Sequence, residues 1–230
     1  MKIDIRETLE FFDGKHSYDA GHASGVVGII GEDLNSTAFK HFMENKGAKV
    51  EILSTPVTTG KVKGKRLDRW IYVKEKNGKE ILYQTEIKNW SSWAFNGTPL
   101  PIDASDEKVL QVAKHYWDGQ KNVNFVKGEH PNNVTKVLVS MTPPREYKSI
   151  SIKPLLIYWM PISNSYKIDP LFSVETSKVI SNMESSFKLL NIFSVSLYLR
   201  ELLKSGKSQL ELELPSVESR MTILKKIVKI

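Results

Sequence analysis

The dipeptide Asn77-Gly78 separates two strand-like stretches, RLDRWIYVKEK and KEILYQTEIKNW, and no other feature constrains the chain as strongly. Asn-Gly is the strongest short-range hairpin signal, because both residues tolerate the positive φ of a tight turn. Side chains alternate faces along a strand, so Gln84, Glu86 and Lys88 share one face while Tyr83, Thr85 and Ile87 share the other. The loop length then decides what stands across from Glu86. A two-residue turn pairs Lys76 with Lys79 and leaves Asp68 and Glu86 on opposite faces. A three-residue loop over Lys76, Asn77 and Gly78, with Gly78 left-handed as a bulge, pairs Glu75 with Lys79 and sets Asp68 directly opposite Glu86. The apolar pattern favours this second register. It gathers Ile71, Val73, Ile81, Tyr83 and Ile87 on one face, whereas the first register sets Ile71 against Gln84.

Two carboxylates with Cβ atoms about 4.5–5.5 Å apart destabilise the strand pair unless something neutralises them. The chain has no cysteine, which excludes disulfides, thiolate zinc sites, iron–sulfur clusters and Cys nucleophiles, so a metal must be held by oxygen or imidazole. The five histidines, His16, His22, His41, His115 and His130, have no metal-ligand spacing. A divalent cation of the magnesium type suits the carboxylate pair, since it takes one or two protein carboxylates and completes its shell with water and substrate phosphate. Lys88 falls on the same face as that site. The plain alternative is a solvated strand face, because Glu-x-Lys pairs also serve as cross-strand ion pairs and edge protection.

Around the hairpin the chain alternates helices and strands. A helix runs through Leu34, Phe39, Phe42 and Met43 to a stop at Gly47, with Gly25, Gly28 and Gly31 ahead of it read as turn and close-packing residues. AKVEILSTPV is a first strand, DEKVLQVAKHYWDG an amphipathic helix, and TKVLVSMTP and KPLLIYWMPI are buried strands. A polar linker after Asn164 leads to a helical pattern over 184–204, a half-exposed strand QLELEL and a last helix MTILKKIVKI. The expected architecture is α/β, with residues 1–163 as one domain and 164–230 as an appended, mainly helical module.

The 230 residues hold 33 Lys and Arg against 26 Asp and Glu, a formal charge of +7, which favours a polyanionic partner. Lys61, Lys63, Lys65 and Arg66 form a basic, glycine-containing loop just before Asp68, suited to phosphates. Trp90 and Trp93, after the third strand, suit base stacking or core packing. With no signal-peptide pattern or membrane-length apolar run, the expectation is a soluble, cytoplasmic protein.

A Glu on a first helix, an Asp on the second strand and Glu-x-Lys on the third, followed by a helix and a strand, resemble the PD-(D/E)XK, or restriction-endonuclease-like, nuclease superfamily. The likeness spans roughly Gly25 to Ile162, with Glu32 in GEDLNSTAF, Asp68 in RLDRW, and Glu86 and Lys88 in TEIKNW. Asp33 competes with Glu32 for the first position, and Leu67 stands where the family often has proline. The resemblance implies a restriction-endonuclease-like core with Glu32, Asp68, Glu86 and Lys88 as catalytic residues. It further implies Mg2+ or Mn2+ held by Asp68, Glu86 and the Ile87 carbonyl, and Lys88 orienting the attacking water. DNA as partner and a homodimer for double-strand cutting belong to the same expectation. Gln84 on the site face, with Gln111 and Lys114 on the following helix, are its further candidate DNA contacts; QVAKHY is similar to a Gln-and-Tyr motif of one branch but is one residue longer.

Overall fold

Local sequence signals set several of the helix ends. The computed structural model describes residues 1–14, 20–53, 67–89, 99–120, 123–124, 135–181 and 184–228. The chain opens with β1 (Lys2–Asp4), α1 (Ile5–Asp13) and α2 (Ala20–Asn45), followed by β2 (Lys49–Leu53), β3 (Arg69–Lys74), β4 (Glu80–Lys88) and α3 (Asp106–Gln120). After β5 (Val123–Asn124) come β6 (Ser151–Tyr158), β7 (Leu171–Glu175), β8 (Ile180–Ser181), β9 (Leu189–Ser194), α4 (Val195–Lys204), β10 (Gln209–Glu211) and α5 (Pro215–Val228). Asp4 caps α1 by accepting from the Glu7 amide at 3.0 Å, and Ser194 caps α4 through Leu197. Gly47, at φ +82°, ends α2 as expected, letting the Ala48 amide reach back to the Met43 carbonyl at 3.1 Å.

Six strands form one mixed sheet in the order β2-β3-β4-β6-β9-β7. β2, β3 and β4 are an antiparallel meander, β6 lies parallel to β4, β9 parallel to β6, and β7 closes the far edge antiparallel to β9. Both faces are covered. Along β6 and its continuation, Leu155, Ile157 and Trp159 pack in the layer with α1, α2 and α4, while Leu156, Tyr158 and Met160 pack in the layer with α3. The hairpin face anticipated from the sequence, Ile71, Val73, Ile81, Tyr83 and Ile87, is buried in the first of these layers.

Three expectations give way to the structure. The glycines at 25, 28 and 31 lie inside α2, which begins well ahead of them, so they make no turn. TKVLVSMTP is no strand; Thr135–Leu138 is a short 3-10 helix, and Gln84 bonds the Val137 and Val139 carbonyls while β6 occupies the place beside β4. The helix expected over 184–204 is β9 followed by α4. Leu190 and Ile192 bury on one face of β9 and Phe193 on the other, and a short apolar run buried on both faces reads alike as helix or strand. Residues 164–230 are therefore not mainly helical: they contribute β7 and β9 to the central sheet, in register with β6. QLELEL behaves as read, with Leu210, Leu212 and Leu214 buried and Glu211 and Glu213 outward.

Candidate active site

The hairpin adopts the three-residue loop. Gly78 sits at φ +86°, the Glu75 amide donates to the Lys79 carbonyl at 2.8 Å, and the Asn77 side chain accepts from the Lys79 amide at 2.9 Å. The ladder runs from Lys74 opposite Glu80 to Arg69 opposite Thr85, and its next step sets Asp68 opposite Glu86. Here the two strands stop exchanging backbone bonds. The Asp68 Oδ2 instead accepts from the Ile87 amide at 2.7 Å. In an antiparallel ladder a residue's N–H and C=O share one strand edge, so the Ile87 carbonyl belongs to the edge that Asp68 caps.

Lys88 donates its Nζ to Glu86 Oε1 at 2.6 Å, and both residues are nearly enclosed, at 7% and 2% exposed, while Asp68 is half-buried. Tyr158 lies beside Lys88 in the parallel register. Burial and the nearby Glu86 charge push its phenol well above the usual tyrosine range, so it stays a neutral hydrogen-bonding group.

The two adjacent acids on α2 differ in what each carboxylate touches. Asp33 is buried, and its Oδ2 accepts from the Ser216 and Val217 amides at 2.6 and 3.2 Å, capping α5. Glu32 keeps a carboxylate that is 46% exposed and lies 3.5 Å from Arg69, whose Nη1 donates to the Asp68 carbonyl at 3.0 Å. Arg69 thus brings Glu32 to the end of β3 where Asp68 stands. A cleft of about 790 Å³ between α2, β2 and the start of α5 opens onto Asp33 and Arg69.

Two asparagines complete the junction. Asn89, next after Lys88, accepts from the Asn35 side chain on α2, and a Cβ at Gly31 would come within 2.6 Å of the Asn89 amide. Gly31 is thus a close-packing residue, as anticipated, and its absent side chain lets α2 lie on the end of β4. Arg69, Asn35 and Asn89 were not among the sequence candidates. Adjacency to Asp68 and Lys88 was the available signal for Arg69 and Asn89.

The proposed DNA contacts fare unevenly. Gln84 is fully buried; its amide donates to the Val137 and Val139 carbonyls at 2.5 and 2.9 Å and its oxygen accepts from Met141 at 3.1 Å. It clamps the 137–141 segment instead of facing a ligand. On α3, Gln111 pairs with Lys108 and the Lys114 ammonium lies over the exposed Tyr166 ring. The helix reaches the site face at its C-terminal end, where Tyr158 donates to Gln120 at 3.4 Å, about 13 Å along the axis from Gln111. Lys61, Lys63, Lys65, Arg66, Trp90 and Trp93 lie outside the described residues.

Among the described residues no group of three or more His, Cys, Asp or Glu side chains forms a metal-binding cluster, and no helix is long and apolar enough to cross a membrane. A pair of facing carboxylates with an adjacent carbonyl is nonetheless an all-oxygen donor set of the kind magnesium or manganese accepts from protein, the rest of the shell being water and phosphate. No family model, curated protein or solved structure matches the chain.

Proposed function

We propose that the chain is a metal-dependent nuclease of the PD-(D/E)XK type that hydrolyses phosphodiester bonds, with DNA as its substrate. One observation carries the reading: the hairpin register sets Asp68 opposite Glu86 at the point where the β3–β4 ladder ends, with Lys88 2.6 Å from Glu86 on the same face. The order of elements around it supports the same reading: α2, the β2-β3-β4 meander, α3 and a parallel β6.

Asp68, Glu86 and the Ile87 carbonyl would hold Mg2+ or Mn2+, which supplies Lewis-acid stabilisation of charge on the phosphate oxygens. Lys88 orients the attacking water and its ammonium favours the hydroxide form. The water gives up a proton to bulk solvent, its oxygen bonds to phosphorus as the bond to the leaving sugar oxygen breaks, and that leaving oxygen takes a proton from solvent. Glu32, the exposed one of the two adjacent acids on α2, acts from the side through water. Tyr158, kept neutral, hydrogen-bonds on the site face without adding charge. The formal charge of +7 favours the polyanion, and a homodimer would allow cleavage of both strands.

The test is incubation of the purified protein with plasmid, linear duplex, single-stranded and four-way-junction DNA, and with RNA, in Mg2+, Mn2+ or EDTA, beside Lys88→Ala and Asp68→Ala. Metal-dependent cutting lost in both variants supports the reading; full cutting by either variant sinks it. The closed Glu86–Lys88 ion pair favours a second reading, a nucleic-acid-binding or assembly subunit that keeps the fold without the chemistry. That reading predicts salt-dependent DNA binding with no cutting and no metal bound in calorimetric titration.

A further inference from the structure

We infer that Arg69 is a positioning residue for the site proposed above, and that the C-terminal helix α5 sets it through Asp33. The catalytic consequence rests on the nuclease reading; the geometry does not. Asp33 holds two partners with its two oxygens. Oδ2 accepts from the amides of Ser216 and Val217, in the first turn of α5. Oδ1 accepts from Arg69 Nη2 at 3.4 Å. The same nitrogen lies 3.5 Å from Glu32 Oε2, and the other guanidinium nitrogen donates to the Asp68 carbonyl at 3.0 Å. A continuous chain of polar contacts therefore runs from the first amides of α5, through Asp33 and Arg69, to both Glu32 and Asp68. Only a guanidinium has the rigid fork of donors that this requires; a lysine ammonium is a point charge.

The cap matters to α5 because, among the described residues, few other side chains hold it. The residue before the helix, Leu214, has no side-chain acceptor, so a carboxylate from α2 does the work usually done by a neighbouring Ser or Asp. Among the described side chains of α5 Val217 is the buried apolar one, while Met221, Ile223 and Leu224 are exposed. Arg220 adds a clamp to the Gly28 and Ile29 carbonyls of α2. A helix whose described side chains bury so little apolar surface opens easily. Undocking α5 frees one Asp33 oxygen, changes its hold on Arg69 and so shifts Glu32 relative to Asp68. Linkage makes the effect reciprocal: disturbing Arg69 loosens α5, which it does not touch in this network.

The experiment uses the full chain with Arg69→Gln, Arg69→Lys, Asp33→Asn and Lys88→Ala, and two readouts. The first is backbone amide exchange over residues 216–222 in metal-free protein. A disturbed hold on Asp33 predicts exchange about fivefold faster or more in Arg69→Gln, an intermediate rate in Arg69→Lys and in Asp33→Asn, whose side-chain oxygen still accepts from the α5 amides, and no change in Lys88→Ala. The second is DNA cleavage at saturating Mg2+, where kcat falls roughly tenfold or more in Arg69→Gln and Asp33→Asn while KM stays within about twofold. Unchanged α5 exchange in Arg69→Gln overturns the link to the helix, and altered exchange with unchanged kcat overturns the positioning role. A wild type that cuts nothing refutes the nuclease reading, and the exchange readout alone then decides the Arg69–α5 link. Should Arg69→Gln lose its fold by circular dichroism, Arg69→Lys and Asp33→Asn carry the comparison.

Discussion

Among the described residues two ion pairs are almost wholly enclosed, Asp13–Arg200 and Glu86–Lys88, and they are built on opposite plans. Arg200 spreads its guanidinium over the Leu100, Pro101 and Ile102 carbonyls as well as Asp13, while Ser196 also donates to Asp13. The Asp13 carbonyl in turn accepts from the Leu100 amide at 2.8 Å. That pair ties the end of α1, the first turns of α4 and the segment entering α3 into one knot. Glu86 and Lys88 stand two residues apart on one strand face, where they are neighbours already, so the contact between them adds no tie between distant segments. Burying two charges costs several kcal/mol before any attraction is counted. In the first pair the cost is offset by the distant segments it ties together; the contact between Glu86 and Lys88 itself ties none, and that difference fits the site proposed above.

The contrast predicts unequal responses to substitution. Arg200→Met breaks a buried pair and strips three carbonyls, and should cost about 3–5 kcal/mol in urea melts. Its pH dependence follows from Asp13. Burial raises that carboxyl above its ordinary 3.8, with Arg200 and Ser196 pulling it back. A raised folded-state pKa gives a contribution that is full below 3.8 and drains away as pH rises through the folded value. Removing Arg200 deepens that loss, so the deficit should widen from pH 4 towards pH 7; a constant deficit would show that Asp13 carries no charge in the fold.

Gln84 sits on the site face yet behaves like Arg200, holding a distant segment. Gln84→Leu leaves two carbonyls and an amide without their partner and should cost about 1–3 kcal/mol by thermal melting. If it instead left stability intact and abolished DNA cleavage, the division between architecture and chemistry would be drawn in the wrong place. The double variant Glu86→Leu with Lys88→Met replaces the second pair by hydrocarbon and should fall within about 1 kcal/mol of wild type, or above it, in the same melts. A loss as large as that of Arg200→Met would make Glu86–Lys88 a structural pair after all.

The smallest effect belongs to a half-buried group. His41 shares a 2.6 Å contact with the Tyr198 hydroxyl, and burial together with Lys207 lowers its pKa from 6.5. A folded value below the unfolded one means the contribution is complete above 6.5 and is lost as pH falls through the folded value. An imidazole titration by NMR should show a midpoint below 6.5, and His41→Asn should flatten the stability slope between pH 7 and pH 5.

The readable parts of this chain were those decided by neighbours in sequence. Glu75 against Lys79, the left-handed Gly78 and the apolar row from Ile71 to Ile87 followed from turn geometry and a two-residue period. Leu189–Ser194 reads as helix from sequence because a strand buried on both faces loses that period, and β6 on one side and β7 on the other select it as a strand. Glu32 and Asp33 are equivalent in composition and adjacent in sequence; what separates them is that two amides of α5, 183 and 184 residues away, claim Asp33.

By itself, then, the sequence determined the hairpin register that sets Asp68 opposite Glu86, since side-chain alternation and loop length are properties of a few consecutive residues. Only the tertiary structure decided that Gln84 is a clamp, that Arg69 joins Glu32 to Asp68, and that residues beyond 164 complete the sheet. Those outcomes depend on which distant groups reach a given donor or acceptor first, and a buried polar group takes the partner that satisfies it, whatever its neighbours in sequence suggest.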